Sequence, residues 1–346
     1  MKKMDFKLMV AAIGLSSMVA CSNQSANTAS KTQDATTENN QVDIKNNKAM
    51  TYSKKYTNAD FYKDGKFQQD VAMEAMKNAG KDCAPVYFYM VANPAEEEDC
   101  LKGIEDVIGR VPFFGGSAAD NTVEGNWKIF TNNEVFSEGV AVAFFYTDKP
   151  MSNVYTGAYH ETTNSGIITA LEGKRTLKEI DGVPAMKKYA AWTGKDPKKM
   201  MGNDLLSSTI LAPLGIKDRL GDLVAIRHPM NGNDDYSMNI GNNLAVNTAV
   251  IQMEATVDEL IDSTGKTMKE VKKQLKNDEP GAYLLVHCGG RKLGIGDRID
   301  EVAKQLKKEA NGVPFMTIFT FGEYGSKDHG ANTCGGLMLS FTAFGK

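Results

Sequence analysis

The chain has 346 residues, with 40 Lys and Arg against 43 Asp and Glu, for a formal charge of -3. A balance this near neutrality lacks the basic face that nucleic-acid binding requires, so no nucleic-acid partner is expected. The length exceeds one ordinary hydrophobic core and calls for two domains or one large α/β unit.

Lys2, Lys3 and Lys7 form a positive n-region, and Leu8 to Ala20 form a mostly apolar stretch that ends at Met18-Val19-Ala20-Cys21. That stretch is shorter than the about 20 apolar residues a bilayer crossing needs, and it has the layout of an export signal. The ending resembles a bacterial lipobox, which predicts cleavage after residue 20 and lipidation, with palmitate-type acyl chains, on Cys21. Two or more acyl chains hold a protein stably at a membrane. Ser22 in place of Asp favours the outer membrane if the cell is Gram-negative. The alternative is an ordinary secretory signal in which Cys21 is incidental. Residues 21–50 are Ser, Asn, Thr, Gln, Lys and Asp with few apolar side chains, a composition that cannot offset backbone entropy and predicts a disordered tether.

Past the tether, Phe67, Val71, Ala75 and Met76 recur at helical spacing and Gly80 stops the run. Val86 to Val91 reads as a buried strand. A helix follows Pro94, because Glu96, Glu97 and Glu98 complement the positive end of a helix dipole and Leu101, Ile104, Val107 and Ile108 share one face. Val111 to Phe114 reads as a short strand, which gives a βαβ-type unit. Gly115-Gly116-Ser117-Ala118-Ala119-Asp120-Asn121 is then expected to be a loop at a strand end, where α/β sheets tend to bind ligands. The alternative is a tight connection with Asp120 capping a turn. No phosphate-loop pattern is present.

Trp127 to Thr131, Gly139 to Thr147 and Asn153 to His160 read as strands, with Asn132-Asn133 as a turn. Thr176 to Ile180 leads through an Asp181-Gly182 turn into a helix from Pro184 to Trp192 that Gly194 ends. Leu223 to Arg227 and Leu244 to Ala255 read as strands around a polar turn at Asn231 to Asp235. Asp258 to Leu275 is helical, Ala282 to Val286 is a buried strand, Ile299 to Ala310 is an amphipathic helix, and Phe315 to Phe321 and Leu337 to Phe344 are strands. The fold class is α/β: two linked mixed-sheet halves with flanking helices.

Besides Cys21, the cysteines are Cys83, Cys100, Cys288 and Cys334. In an oxidising compartment they permit three complete pairings, and spacing does not choose among them. His160, His228, His287 and His329 are scattered and no Cys-x-x-Cys occurs, so neither a metal nor a cofactor is expected.

Three segments carry a family resemblance: Gly115 to Asp120; Glu179-Ile180-Asp181-Gly182-Val183-Pro184-Ala185 on to Tyr189; and Cys288-Gly289-Gly290-Arg291 with Phe319-Thr320-Phe321-Gly322-Glu323. On these the chain resembles FIST-domain proteins, with an N-terminal portion at 51–194 and a C-terminal portion at 195–346. Arg227 also falls where that family tends to carry an arginine. The chain departs from the family at Leu244-Ala245-Val246-Asn247 and keeps its C-terminal pattern only as His329 and Asn332-Thr333. The resemblance implies a sensory module for a small molecule, with amino acids or related metabolites as ligands. Relatives join it to signalling output domains; here the signal is expected to pass to a separate partner protein.

Arg291, a guanidinium at the end of a buried strand, is the first candidate for a ligand carboxylate, with a salt bridge to Glu323 as its structural alternative. Glu323 is a candidate for a ligand ammonium, so that the two would hold an α-amino acid by both ends. Asp120, Arg227, Gly115, Gly116 and Cys288 complete the candidate set. Cys288 also raises the alternative of an extracytoplasmic enzyme with a thiol nucleophile. His287 cannot easily serve it, because neighbours on a strand point to opposite faces. A buried thiol, or a disulfide with Cys334, is the other reading of Cys288.

Overall fold

Runs of apolar and β-branched residues alternate with amphipathic stretches along the chain, and the computed structural model shows what each becomes. It describes residues 48–55, 66–131, 134–217, 224–276, 278–327 and 330–346. The expected export signal, Cys21, the predicted tether as far as residue 47, the predicted Asn132-Asn133 turn and His329 lie outside the described residues.

The first half runs β1 (Lys48–Lys55), α1 (Lys66–Ala79), β2 (Tyr87–Ala92), α2 (Glu97–Ile108), β3 (Phe113–Ser117), a hairpin of β4 (Ile129–Phe130) and β5 (Val135–Phe136), and β6 (Gly139–Tyr146). The second runs β7 (Met151–Thr156), β8 (His160–Glu172), β9 (Thr176–Ile180), β10 (Val183–Pro184), α3 (Ala185–Thr193) and α4 (Asp204–Thr209). Then come β11 (Leu214–Lys217), β12 (Val224–Arg227), β13 (Pro229–Gly232), β14 (Met238–Ile240) and β15 (Ala249–Glu254). It closes with α5 (Val257–Gln274), β16 (Pro280–Cys288), α6 (Gly289–Ile295), α7 (Ile299–Ala310), β17 (Phe315–Thr320), β18 (Glu323–Gly325), β19 (Thr333–Gly335) and β20 (Leu339–Gly345).

Local chemistry explains the long helices. Thr256 and Glu259 form a reciprocal capping box at the start of α5, and Lys272 and Lys273 sit in its last turn, where the dipole favours cations. Glu97, Glu98 and Asp99 occupy the first turn of α2, where the dipole favours anions.

Two sheets share one topological plan. In the first, the order is β1-β6-β2-β3-β18-β19; in the second it is β17-β16-β20-β7. β2 pairs parallel with β3, and β6 flanks them antiparallel. β16 pairs parallel with β17, and β20 flanks them antiparallel. The series β1-β6-β2-β3 therefore matches β7-β20-β16-β17, an internal repeat of fold with no visible repeat of sequence. A third sheet of eight strands, with the path β12-β11-β15-β8-β9-β14-β13 and β10 beside β9, is built from the second half.

Period-2 alternation sets the layers. Phe88, Met90 and Ala92 of β2 face α1 and α2 through Val71, Ala75, Leu101 and Ile104. Tyr87 and Tyr89 face the other way, joining Phe114, Phe145, Met316 and Phe344 in an aromatic seam against the second sheet. Leu285 and Phe341 of that sheet turn outward onto Leu260 and Met268 of α5 and Leu306 of α7. The result is helices, sheet, sheet, helices. Truncating a seam residue such as Phe114, 1% exposed, is worth about 3–5 kcal/mol.

Several expectations need correction. The predicted tether ends early, because β1 begins at Lys48 and pairs along its length with β6. The segment from Gly115 to Ser117 is not a loop but the end of β3, buried throughout. The turn at Asn231 to Asp235 belongs to an unforeseen hairpin of β13 and β14. His160 to Glu172 is a single strand of 13 residues, and after β16 Gly289 to Arg291 open a helix that the sequence reading does not assign.

Candidate functional site

The carboxyl ends of the parallel pairs β2/β3 and β16/β17 meet at one end of the space between the two sheets. After β17 the chain crosses over through Phe321-Gly322, and β18 pairs with β3, with Glu323 opposite Gly116 and Tyr324 opposite Gly115. Ser117 N donates to Gly322 O at 2.8 Å and Phe321 N to Ser117 O at 3.2 Å. The paired glycines make this crossing feasible. A Cβ on Gly116 would lie 2.6 Å from both Gly322 O and Thr320 Cγ2, and one on Gly115, at φ +142°, would lie 1.9 Å from Met90 O. Their bareness thus serves chain-to-chain approach within the fold.

The crossing leaves the Glu323 side chain fully buried on the inter-sheet side. Thr320 Oγ1 donates to Glu323 Oε1 at 2.8 Å, the Met338 amide donates to Oε2 at 2.9 Å, and the Cys288 thiol donates to the same carboxyl. Burial outweighs these bonds and pushes its pKa up to about 8. The Cys288 thiol is buried and pushed well above its ordinary range, first by burial and then by the Glu323 charge, so it is a neutral thiol. Its Sγ accepts from Leu337 N at 3.3 Å. Cys83, Cys100, Cys288 and Cys334 are all free, so none of the three pairings forms.

Arg291, in the first turn of α6, has no exposed surface. Its Nη2 donates to Leu260 O at 2.7 Å and Ser263 Oγ at 2.6 Å on α5, and its Nη1 reaches Leu337 O at 3.5 Å. Its Nε has no partner. Among the described residues no carboxylate lies within ion-pair distance of it, so the anticipated bridge to Glu323 is not made, although the two stand within electrostatic reach. His287 points to the opposite face from Cys288, with its Nδ1 bonded to Cys288 O at 3.0 Å and its ring edge-on to Phe319. Burial holds His287 down at about 3, so it is neutral.

Arg227 reaches the same neighbourhood from the third sheet. Its Nη1 donates to Ile226 O at 3.2 Å and to Cys334 O at 3.1 Å, while Nε is sealed without an acceptor. Tyr155 of β7, which the sequence does not mark, is 3% exposed and its hydroxyl has no partner. Burial pushes that hydroxyl well above its ordinary range, so it remains a donor. Asp120 is not part of this group. Its carboxylate accepts backbone N–H bonds from Thr122, Val123, Glu124 and Asn126 and organises its own turn. The structure thus brings together Glu323, Cys288, Arg291 and Arg227, adds Tyr155, and leaves Gly115 and Gly116 as the floor beneath Glu323 and Asp120 as a turn former. Only an unpaired buried hydroxyl marks Tyr155, and pairing across β7 and β20 is invisible in sequence.

Among the described residues no helix is long and apolar enough to cross a membrane. The chain matches no curated protein. It does match two adjoining family models, the FIST N domain over residues 8–183 and the FIST C domain over residues 185–326. With nearly the whole length matched, the chain belongs to the FIST family, whose domains are sensory modules that bind small ligands.

Proposed function

We propose that this is a lipid-anchored, extracytoplasmic FIST-type sensory protein that binds a small polar metabolite such as an amino acid and passes the signal to a separate partner protein. The observation that carries the reading is a pair of buried donors left unpaired at one end of the inter-sheet space, Tyr155 OH and Arg227 Nε, near the carboxyl of Glu323. Buried polar groups are nearly always hydrogen-bonded, and an orphan costs about 1–3 kcal/mol. A ligand with oxygen acceptors and an ammonium would satisfy donors and carboxyl together. An ammonium beside Glu323 would lower its pKa and release its proton. The n-region lysines and the Met18-Val19-Ala20-Cys21 ending support the anchor and the envelope location.

The alternative, an extracytoplasmic enzyme with Cys288 as nucleophile, has little support from the geometry. The thiol is buried, neutral and bonded to Glu323 and Leu337, and the nearest imidazole in sequence faces away.

The test is a thermal-shift screen of the full chain against amino acids, short peptides and small carboxylates. A ligand that binds only the folded state stabilises by about 2.7 kcal/mol at 100 times its Kd. A saturable shift without turnover supports the reading; an unmoved melting temperature across the panel contradicts it. The anchor is tested by fractionation, in which Cys21→Ser releases the chain from membranes.

A further inference from the structure

We infer that the carboxylate of the ligand is held by Arg227 and Tyr155, beside Gly335, and not by Arg291. This rests on the ligand-binding reading above and assigns the two ends of the ligand within it.

A guanidinium grips a carboxylate best through one edge, with two parallel N–H bonds. The edge formed by Nε–H and Nη2–H is the relevant one. In Arg291 that edge is closed, because Nη2 already donates to Leu260 O and Ser263 Oγ. The residue is a strut that ties α6 to α5. In Arg227 the far nitrogen, Nη1, is the one tied down, by Cys334 O and Ile226 O. Its Nε is buried without an acceptor, and among the described residues its Nη2 makes no hydrogen bond. Arg227 is therefore fixed at its back with its fork open.

Tyr155 supplies the third donor. Its ring packs on Gly325, where a Cβ would lie 2.5 Å from Tyr155 Cβ, and its hydroxyl stands where a side chain on Gly335 would be, 2.4 Å from an ideal Cβ there. Gly335 pairs directly with Glu323 across β18 and β19. Paired residues on neighbouring strands present their side chains to the same face. The hydroxyl therefore occupies the place next to Glu323 that Gly335 leaves bare. Arg227 anchors to Cys334, the residue before that glycine. A fork, a phenol donor and a carboxyl thus surround one short piece of strand, which suits an α-amino acid with its carboxylate toward Arg227 and Tyr155 and its ammonium toward Glu323.

The experiment is calorimetric titration of the full chain with matched probes: acetate, glycine and L-alanine against acetamide, glycinamide and L-alaninamide. The acids are expected to bind at least about tenfold more tightly than their amides, and Tyr155→Phe and Arg227→Lys each to weaken the acids by about tenfold or more, the effect of losing a charge-assisted bond. Arg291→Lys is expected to lower the melting temperature of the empty protein while leaving the affinity for the acids near that of wild type. Amides that bind as well as acids, or acid binding that survives both Tyr155→Phe and Arg227→Lys, would overturn the assignment while leaving ligand binding intact. Heat from none of the six probes in wild type would count against the assignment and the ligand-binding reading together.

Discussion

The amide of Met338 donates to Glu323 Oε2 at 2.9 Å, fastening a carboxyl from β18 of one sheet to the residue just before the last strand of the other. This bond links the two repeated units at the point where the unpaired donors gather. It also keeps a titratable group in a dry place, so its ionisation is felt by the whole fold.

Glu323 makes stability depend on pH. Its folded pKa, up at about 8, exceeds the ordinary 4.5, so between those values the folded state holds a proton that the unfolded chain has lost. The contribution is complete below the unfolded value and is lost as pH rises through the folded one. Urea unfolding of wild type should therefore weaken relative to Glu323→Gln as pH rises from 5 to 9, by about a few kcal/mol. Glu97, also raised, to about 7, titrates in both proteins and cancels in the difference.

Arg175 is the central cation of the contact between α2 and the third sheet. It bonds to Glu98, lies 3.3 Å from Glu97 Oε2, and donates to Gly241 O at 2.7 Å and Asn243 Oδ1 at 2.9 Å. Its guanidinium and Glu97 are largely or wholly withdrawn from solvent, so Arg175→Ala should destabilise by about 3 kcal/mol in thermal or urea unfolding. Lys174, which pairs with Asp99 at the surface, should cost less than about 1 kcal/mol when replaced by Ala.

Thiol labelling separates Cys288 from a nucleophile. With iodoacetamide at pH 7, mass spectrometry should find the exposed Cys83 modified and Cys100, Cys288 and Cys334 protected until the chain is denatured. Rapid labelling of Cys288 in the folded chain would revive the enzyme reading.

Gly116→Ala places a methyl against the Gly322 carbonyl and Thr320. The chain crossing must shift, and unfolding should show a loss of about 1–3 kcal/mol. A variant as stable as wild type would mean that the crossing is not fixed by Gly116.

How much was legible follows from range. Helix α7 occupies the span read from its amphipathic pattern, and α5 lies within one residue of its expected bounds at each end, because helical periodicity is a local signal. Strand β8 carries no strand pattern beyond His160: His160 to Glu172 is mostly polar and half-exposed, and only its pairing with β15 and β9 makes it a strand. The Gly115-Gly116 pair reads as a loop in sequence, since the strand that needs its bareness, β18, lies some two hundred residues away in the chain. The sequence offers Arg291 and Glu323 as candidates for the two ends of a ligand; both are buried, but which donors each already satisfies is a matter of packing that spacing does not encode.

A ligand site at Glu323 is read out by native mass spectrometry of the full chain, in detergent, with the amino-acid and carboxylate panel. One bound small molecule per chain, lost in Glu323→Gln, is the predicted result. No bound mass at millimolar ligand, or a bound mass that Glu323→Gln leaves unchanged, would contradict a ligand site at this end of the inter-sheet space.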